Sequence, residues 1–283
     1  MNHFIVNPNA GKRNKSQFVF IIGLIKRNPK NHIWITQMAN QSAELTQKAL
    51  LSGATKIIAV GGDGTINEVA SVLVGSNIPL GIIPVGSGNG LARHLSIPLN
   101  PELAYYHSIT ENLQQIDVGF INNRHFFCTA GIGFDAQVAH RFAYGKNRGF
   151  LNYVKATFFT LIQYTPIYLK INDGAEEKVF SITFANANQF GNNAFISPFS
   201  NIQDGLLEIV KIKPVHLLQA IEIGIRLFGK TVQTVSKVSI SSCENIQISC
   251  PLNTPIHLDG ENLFTQSEKL AIGILPKALN VVC

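Results

Sequence analysis

The stretch of the chain best suited to chemistry runs from Val60 to Val69 and has the sequence VGGDGTINEV. Three glycines surround one carboxylate, that of Asp63. Glycines let a ligand approach the main chain closely, and the free N–H groups and positive dipole at a helix start favour phosphate. A carboxylate in such an anion site requires a cation or a proton-transfer role to account for it. The alternative is an ordinary tight turn between a strand and a helix.

The elements on either side must hold this stretch in place. The apolar run Lys56–Val60 is typical of a buried parallel strand, and residues Ile66–Val74 have the periodicity of a helix. Thr65 is followed three residues later by Glu68, which matches a capping box and predicts that the helix starts at Thr65. The prediction is therefore a strand, a phosphate-binding turn and a helix.

A second glycine loop follows the next predicted strand. Pro79–Val85 is apolar and runs into the loop Gly86–His94. Ser87 and Asn89 in this loop are small donors that can reach a phosphate or ribose oxygen. For His94, at the end of the loop, a helix-surface or capping role is favoured over a catalytic one.

Two earlier strands of the N-terminal part also end in polar residues. The strand His3–Val6 runs into a loop with Lys12 and Arg13, which is either a phosphate contact or a solvated turn. Ser16 is predicted to cap the following helix. Thr36 ends the second predicted strand, at the sheet edge where open α/β sheets bind ligands. The repeated order of strand, loop and helix predicts a doubly wound parallel sheet.

From about residue 114 onward the pattern changes to short strands separated by turns. Alternating residues and hairpin signals, such as Asp173-Gly174, predict a mostly antiparallel β domain. One helical stretch, Phe150–Tyr164, is stopped by Pro166. The predicted strands are Gln115–Phe120, His125–Ala130, Val179–Ala185, Leu206–Ile212, Val238–Ile240, Ile246–Ser249, Ile256–Leu258 and Leu270–Ile274.

Composition narrows the class of protein. Hydrophobic residues make up 46% of the 283 residues and charged residues 14%, against about 25% charged in an average soluble protein. No apolar stretch reaches the roughly 18–20 residues that span a bilayer, and we expect no signal peptide. The net charge of +6 suits a nucleotide or a phospholipid surface, whereas nucleic acid is not expected because no dense basic run occurs. Four cysteines without metal-finger or CxxC spacing indicate reduced thiols in a cytosolic protein.

The sequence GGDGTINEV at 61–69 resembles the nucleotide-binding signature of the diacylglycerol kinase catalytic family, which includes sphingosine kinases and bacterial lipid kinases. A GGDG core also occurs in NAD kinases and 6-phosphofructokinases. NPNAG at 7–11, PVGSGNGLARH at 84–94, GIGFDA at 131–136 and DGE at 259–261 resemble further blocks, in the family's order. The chain departs from the family at Gly90, where many relatives carry a carboxylate, and at Gly191-Asn192, where the family has Gly-Gly.

The resemblance implies a fold and domain boundaries. We expect a doubly wound α/β N-terminal domain, similar to those of NAD kinases and diacylglycerol kinases, and a mostly antiparallel β C-terminal domain, which makes a two-domain α+β protein. The nucleotide-binding domain is expected at residues 1–118 and the β-rich lipid- and metal-binding domain at 119–275. Residues 276–283 are expected to return to the first domain.

The resemblance also implies ligands for ATP and Mg²⁺. The metal ligands are Asp204 and main-chain carbonyls near Asn201 and Leu206, hard oxygen donors that suit Mg²⁺, although a plain Asp-Gly turn is the alternative. The residues implied to bind the nucleotide are Asn7, Thr36, Gly61, Gly62, Asp63, Gly64, Thr65, Asn67, Glu68, Ser87 and Asn89.

The implied catalytic residues are Asp63, Asp259 and Glu261, expected to form one site assembled from both domains. Asp63 is expected to act on the metal–phosphate side. A lipid hydroxyl has a very high pKa, so its proton must pass to a carboxylate as the oxygen attacks phosphorus, and either Asp259 or Glu261 can be that base.

Together these patterns predict an ATP-dependent, Mg²⁺-requiring kinase that phosphorylates the hydroxyl of a lipid, such as diacylglycerol or a sphingoid-type lipid. An NAD kinase and a non-catalytic nucleotide- or lipid-binding protein are the alternatives. Arg141, Lys146, Arg148 and Lys155 lie beside the aromatic-rich helix and form either a contact with anionic headgroups or a solvated face. We expect a cytoplasmic protein that is peripheral at the inner membrane face. The sequence leaves open whether the chain forms a homodimer.

Overall fold

The computed structural model describes residues 1–11, 15–145 and 149–283. Within this part of the chain, no helix is both long and apolar enough to cross a membrane. Four basic residues for which the sequence analysis weighed contacts with phosphate or lipid headgroups lie outside the described residues: Lys12, Arg13, Lys146 and Arg148.

The first of two compact units comprises Met1–Ile116 and Lys277–Cys283. Its parallel strands pair in the order β2 (His32–Ile35), β1 (Asn2–Val6), β3 (Lys56–Gly61) and β4 (Leu80–Pro84), and Val281 near the C-terminus pairs with Leu80 of β4. In chain order the elements are β1 (Asn2–Val6), α1 (Lys15–Lys26), β2 (His32–Ile35), α2 (Ser42–Leu51), β3 (Lys56–Gly61), α3 (Asp63–Leu73), β4 (Leu80–Pro84), α4 (Gly90–His94), α5 (Pro101–Ser108) and β5 (Leu113–Ile121), the last of which continues into the second unit.

Helices cover the parallel sheet, so its central strands are buried. Every residue of β3 and β4 is buried, as expected for strands covered on both faces. Helices α1 and α5 pack in one cluster with Phe4, Ile58 and Ile83, while α2 and α3 contact β1, β3 and β4. The predicted doubly wound α/β fold is confirmed. The carboxyl ends of β1, β3 and β4 lie at one edge of the sheet, where ligands bind in such folds.

The second unit, Asp117–Pro276, is mostly antiparallel β structure, as predicted. Its elements are β6 (Arg124–Phe126), β7 (Thr129–Gly133), α6 (Phe134–Ala143), α7 (Phe150–Gln163), β8 (Ile167–Ile171), β9 (Glu177–Val179), β10 (Ser181–Ala185), β11 (Leu207–Ile212), α8 (Leu217–Phe228), a 3₁₀ turn (Val232–Thr234), β12 (Val238–Cys243), β13 (Asn245–Ser249), β14 (Pro255–Leu258), β15 (Glu261–Phe264) and β16 (Lys269–Val282).

A six-stranded sheet with the order β12-β11-β10-β7-β14-β15 forms the centre of this unit. One face packs against β8, β13 and β16 in a buried cluster that includes Phe184, Ile248 and Leu270. The opposite face carries α6, α7 and α8, whose inward residues form a second cluster around Phe180 and Ile223. Alternate residues of each central strand therefore serve two different cores.

The structure corrects several boundaries. The single strand predicted at His125–Ala130 is wrong, because the main chain at residues 127 and 128 turns its N–H groups to the carboxylate of Asp259 and interrupts the ladder. Ser16 lies inside α1 and is not its N-cap. Helices α5, α6 and α8 are not predicted from the sequence. Helix α8 is apolar on most of its surface but has a polar stripe of Gln219, Glu222 and Arg226 at helical spacing, a signal that the sequence analysis did not use.

Candidate active site

The carboxylate of Asp63 joins the two glycine loops. It stands in the first turn of α3, directly after β3, and its Oδ2 accepts the main-chain N–H of Asn89 at 2.8 Å. Its Oδ1 accepts the N–H of Gly90 at 2.7 Å. Asn89 and Gly90 belong to the loop that follows β4. The acid that was predicted to face metal and phosphate therefore also fixes the position of the second loop.

Glycine is required where these loops approach each other. A Cβ added to Gly88 would lie 2.7 Å from Oδ2 of Asp63, and one added to Gly86 would lie 2.7 Å from Cα of Gly62. Both distances are shorter than a non-bonded contact between a Cβ and another heavy atom, so side chains at these positions would push the loops apart. These two glycines are explained by packing between loops, in addition to any approach of a ligand.

The predicted capping box at Thr65 and Glu68 is wrong. Helix α3 begins at Asp63, with Gly62 as its N-cap and no side-chain cap. The Oγ1 of Thr65 accepts a hydrogen bond from the side chain of Asn7 at 2.9 Å, and Oε2 of Glu68 accepts the N–H of Ser42 at 2.7 Å. Tertiary partners thus replace the local bonds that the spacing predicted. The contact from Asn7 ties the loop after β1 to the start of α3.

Two polar atoms beyond the carboxyl ends of β2 and β4 are buried without a hydrogen-bond partner. The Oγ1 of Thr36 is one, although the main chain of Thr36 donates to the carbonyl of Val6 at 2.9 Å. The other is Oδ1 of Asn89. Buried polar atoms are nearly always paired, so such atoms beyond the ends of the strands are suited to accept or donate to a ligand. Ser87 is exposed, and Asn67 accepts a hydrogen bond from Ser71 at 3.4 Å.

In the second unit, the carboxylate of Asp259 is occupied by the main chain. Its Oδ1 accepts the N–H groups of Cys128 and Thr129 at 2.7 and 3.1 Å, and Oδ2 accepts the N–H of Phe127 at 2.9 Å. Asp259 has a positive φ of 49° in the turn between β14 and β15. Glu261 is the first residue of β15 and is half-buried. The two candidate bases therefore differ in their surroundings. Asp259 holds the connection from β6 to β7, whereas Glu261 begins a strand at a half-buried position.

The predicted metal loop is built around a buried acid that the prediction missed. Asp204 is exposed, and its Oδ1 accepts the N–H of Leu206 at 3.0 Å. The N–H of Gly205 donates to Oδ2 of Asp117 at 2.7 Å, and Asp117 is fully buried. The sequence did contain a signal for this role, because Asp117 interrupts the apolar stretch of β5. Buried acids are rare unless they are paired, so an acid at such a position indicates a specific partner.

The donor set of this loop fits a hard cation. Carboxylate and carbonyl oxygens suit Mg²⁺, and a carboxylate with one oxygen on an N–H has further lone pairs to offer. In the described part of the chain, no group of three or more His, Cys, Asp or Glu side chains could hold a metal. The predicted set contains one such side chain, so the metal assignment stays a prediction.

A second buried acid, Asp135, belongs to a cluster that the sequence analysis did not identify. Asp135, at the start of α6, accepts the hydroxyl of Thr183 at 2.7 Å and lies 3.3 Å from Nε2 of His257. All three residues are buried. Burial, together with the nearby charge of Asp135, raises the pKa of Tyr153 and of Tyr164. The cluster links the start of α6 to β10 and β14.

Two family descriptions match the chain. Residues 2–121 match the diacylglycerol kinase catalytic domain, and residues 128–283 match the YegS C-terminal NAD kinase beta sandwich-like domain. Asp63 and both glycine loops fall in the first match, whereas Asp204, Asp259 and Glu261 fall in the second.

Individual proteins are similar over most of their length. A diacylglycerol kinase of Mycobacterium tuberculosis is 28% identical over 257 residues, which is 86% of this chain and 82% of the relative. A probable lipid kinase of the YegS-like type from Chromohalobacter salexigens is 26% identical over 87% of this chain and 81% of its own. A crystal structure of a diacylglycerol kinase from Bacillus anthracis covers 99% of this chain and 96% of its own, with a TM-score of 0.74 and 23% identity, a likeness of fold.

The raised tyrosine pKa values predict a loss of stability in alkali. Both tyrosines have a folded-state pKa above the ordinary value of about 10, so their contribution is complete below that pH and is lost as the pH rises. We expect the free energy of unfolding to fall above about pH 10, and to fall less steeply in Tyr153→Phe. Urea unfolding at a series of pH values measures this slope. Exposed Tyr168→Phe is the control, and an unchanged slope in Tyr153→Phe would contradict the prediction.

Proposed function

Because this chain belongs to the lipid kinase family that joins a diacylglycerol kinase catalytic domain to a YegS-type C-terminal domain, we propose that it transfers the γ-phosphate of ATP to a lipid hydroxyl. The acceptor is a lipid such as diacylglycerol or a sphingoid-type lipid. Members of such a kinase family use ATP and typically a divalent metal. The observation that supports the nucleotide site most directly is the pair of hydrogen bonds from the second glycine loop to Asp63.

These bonds allow the edge of the parallel sheet to accept phosphate. Two N–H donors and the positive end of α3 offset the negative charge of Asp63, which would otherwise repel an anion. The unpaired Oγ1 of Thr36 and Oδ1 of Asn89 supply further polar contacts. We assign ATP binding to this edge, with Asn7, Thr65 and Ser87 as additional polar residues.

For the base that accepts the lipid proton, the geometry favours Glu261 over Asp259. Three N–H groups occupy the oxygens of Asp259, so protonation of that carboxylate would weaken the bonds that hold residues 127–129. A base must be able to take and release a proton in each cycle. Half-buried Glu261, at the start of β15, has a partly accessible side chain.

The proposed metal ligands are Asp204 and the carbonyls of Asn201 and Leu206. When bound, Mg²⁺ would neutralise phosphate charge if it is catalytic, or order the loop if it is structural. The chain itself contributes Asp117, which holds Gly205 and so fixes the path of the loop. We further propose that the protein works in the cytoplasm, peripheral to an anionic membrane. Whether it forms a dimer is a separate question for measurement.

The first experiment identifies the acceptor. The purified protein is given radiolabelled ATP, Mg²⁺ and a panel of lipids in mixed micelles, with NAD as a separate acceptor, and products are resolved by chromatography. We expect label in a phospholipid product. The description of the C-terminal domain as NAD kinase-like makes NAD the informative competitor. Label in NADP with every lipid inert would assign the chain to NAD phosphorylation, and no product at all would favour a binding protein.

The second experiment separates the two acids. We expect Glu261→Gln to lower kcat by about 10²–10⁴-fold, with little change in the KM for ATP or in the melting temperature. Asp259→Asn should instead destabilise the fold by about 2 kcal/mol, because it removes a charged acceptor from buried N–H groups. Exposed Glu268→Gln serves as the matched control. A normal kcat in Glu261→Gln would exclude it as the base.

The third experiment concerns the metal. Asp204→Ala should raise the Mg²⁺ concentration needed for half-maximal rate, with activity partly restored at high Mg²⁺, because the substitution removes a ligand and no reacting group. Asp173→Ala, an exposed acid paired with Lys269, is the control. Loss of activity that no Mg²⁺ concentration relieves, in a folded variant, would argue against the assignment.

A further inference from the structure

Helices α7 and α8 share one buried cluster and leave apolar side chains on their other side. Leu161 of α7 and Ile223 and Leu227 of α8 pack in the same cluster over the six-stranded sheet, and the two helices contact each other. Their outward residues should therefore be polar, yet many are not. These outward residues, here named the apolar helix face, are Leu151, Val154, Phe158, Phe159 and Ile162 of α7 and Leu217, Leu218, Ile221, Ile225 and Phe228 of α8.

The exposure of this face is large. Leu151, Leu218 and Ile225 have 74%, 73% and 69% of their surface exposed. Single exposed apolar residues are ordinary, but ten on two adjacent helices form a patch of the kind that marks an interaction site. These ten side chains do not contribute to the buried cluster, which is formed by the inward residues of both helices.

Apart from one ion pair, the exposed charges on and beside the two helices are positive. Within α8 the only charged residues, Glu222 and Arg226, pair with each other at 2.8 Å. Residues 134–163 and 213–237 contain one further acid, Asp135, which is buried. Lys155, Lys213 and Lys230 are exposed on and beside the two helices. The apolar face is thus bordered by cations with no exposed unpaired acid in these segments.

We propose that the apolar helix face docks onto an anionic lipid bilayer, with its leucine, isoleucine and phenylalanine side chains in the outer part of the acyl region and the lysines at the headgroups. The inference rests on the proposed function, because a lipid kinase must reach a substrate held in a membrane. A second copy of the chain is a poorer occupant, since its own basic border would repel the first. Lys155 belongs to the basic group identified in the sequence, whereas the contribution of α8 is evident only from the structure.

Vesicle sedimentation without ATP tests this surface independently of catalysis. The probes are vesicles of phosphatidylcholine alone and of phosphatidylcholine with phosphatidylglycerol. We expect binding to the anionic vesicles, weakened by salt. Leu218→Gln with Ile225→Gln should weaken it about tenfold or more, because two exposed apolar side chains are lost from the bilayer contact. Lys213→Glu with Lys230→Glu should remove the preference for anionic vesicles.

Leu51→Gln and Lys30→Glu, which change exposed residues of the first unit, are the matched controls, and thermal unfolding confirms that each variant is folded. Phosphorylation of a lipid dispersed in detergent should stay normal in the helix-face variants. If the wild-type protein phosphorylates no lipid in detergent, that result would count against the proposed function only. Equal vesicle binding by wild type and helix-face variants would overturn the docking surface, as would a dimer that the variants dissociate without any effect on vesicle binding.

Discussion

Two hydrogen bonds to the carboxylate of Asp63 hold the N-terminal site together. They connect the first turn of α3 with the loop after β4, and they do so with main-chain donors from Asn89 and Gly90. A carboxylate beside a predicted phosphate site is unfavourable unless its charge is offset, and here two N–H dipoles and a helix N-terminus offset it. The glycines at 86 and 88 follow from this contact, because side chains there would collide with Gly62 and Asp63.

The second unit uses acids in the same way. Asp259 gathers three N–H groups from residues 127–129, Asp117 holds Gly205, and Asp135 joins Thr183 to His257. Hydrogen bonds to charged groups are stronger than those between neutral groups, so each acid fixes a loop or a strand end that carries neighbouring polar residues. An acid whose oxygens accept several N–H groups positions the main chain, and its protonation would weaken those hydrogen bonds.

Much of the fold was predictable because its signals are local. Buried parallel strands are continuous apolar runs, and antiparallel strands are bounded by turns such as Asp173-Gly174. The predictions that failed did so because residues distant along the chain supply the hydrogen-bond partners. The box of Thr65 and Glu68 failed because Asn7 and Ser42 are better partners in three dimensions. The predicted strand through residues 127 and 128 failed because a distant carboxylate takes their N–H groups. Helix α8 was missed although Gln219, Glu222 and Arg226 recur at helical spacing, and its exposed leucines and isoleucines extend the apolar face beyond the buried side.

The sequence by itself determined the fold class, the order of the strand–loop–helix units and the glycine loops that carry Asp63 and Asn89, because residue type and spacing express backbone preferences directly. Only the tertiary structure decided which groups each acid contacts. Asp63, Asp117, Asp135 and Asp259 bond to groups 26, 88, 48 and up to 132 residues away along the chain, and no local pattern encodes such partners. The exposed apolar side of α7 and α8 likewise required the folded unit, since exposure depends on what the rest of the chain leaves uncovered.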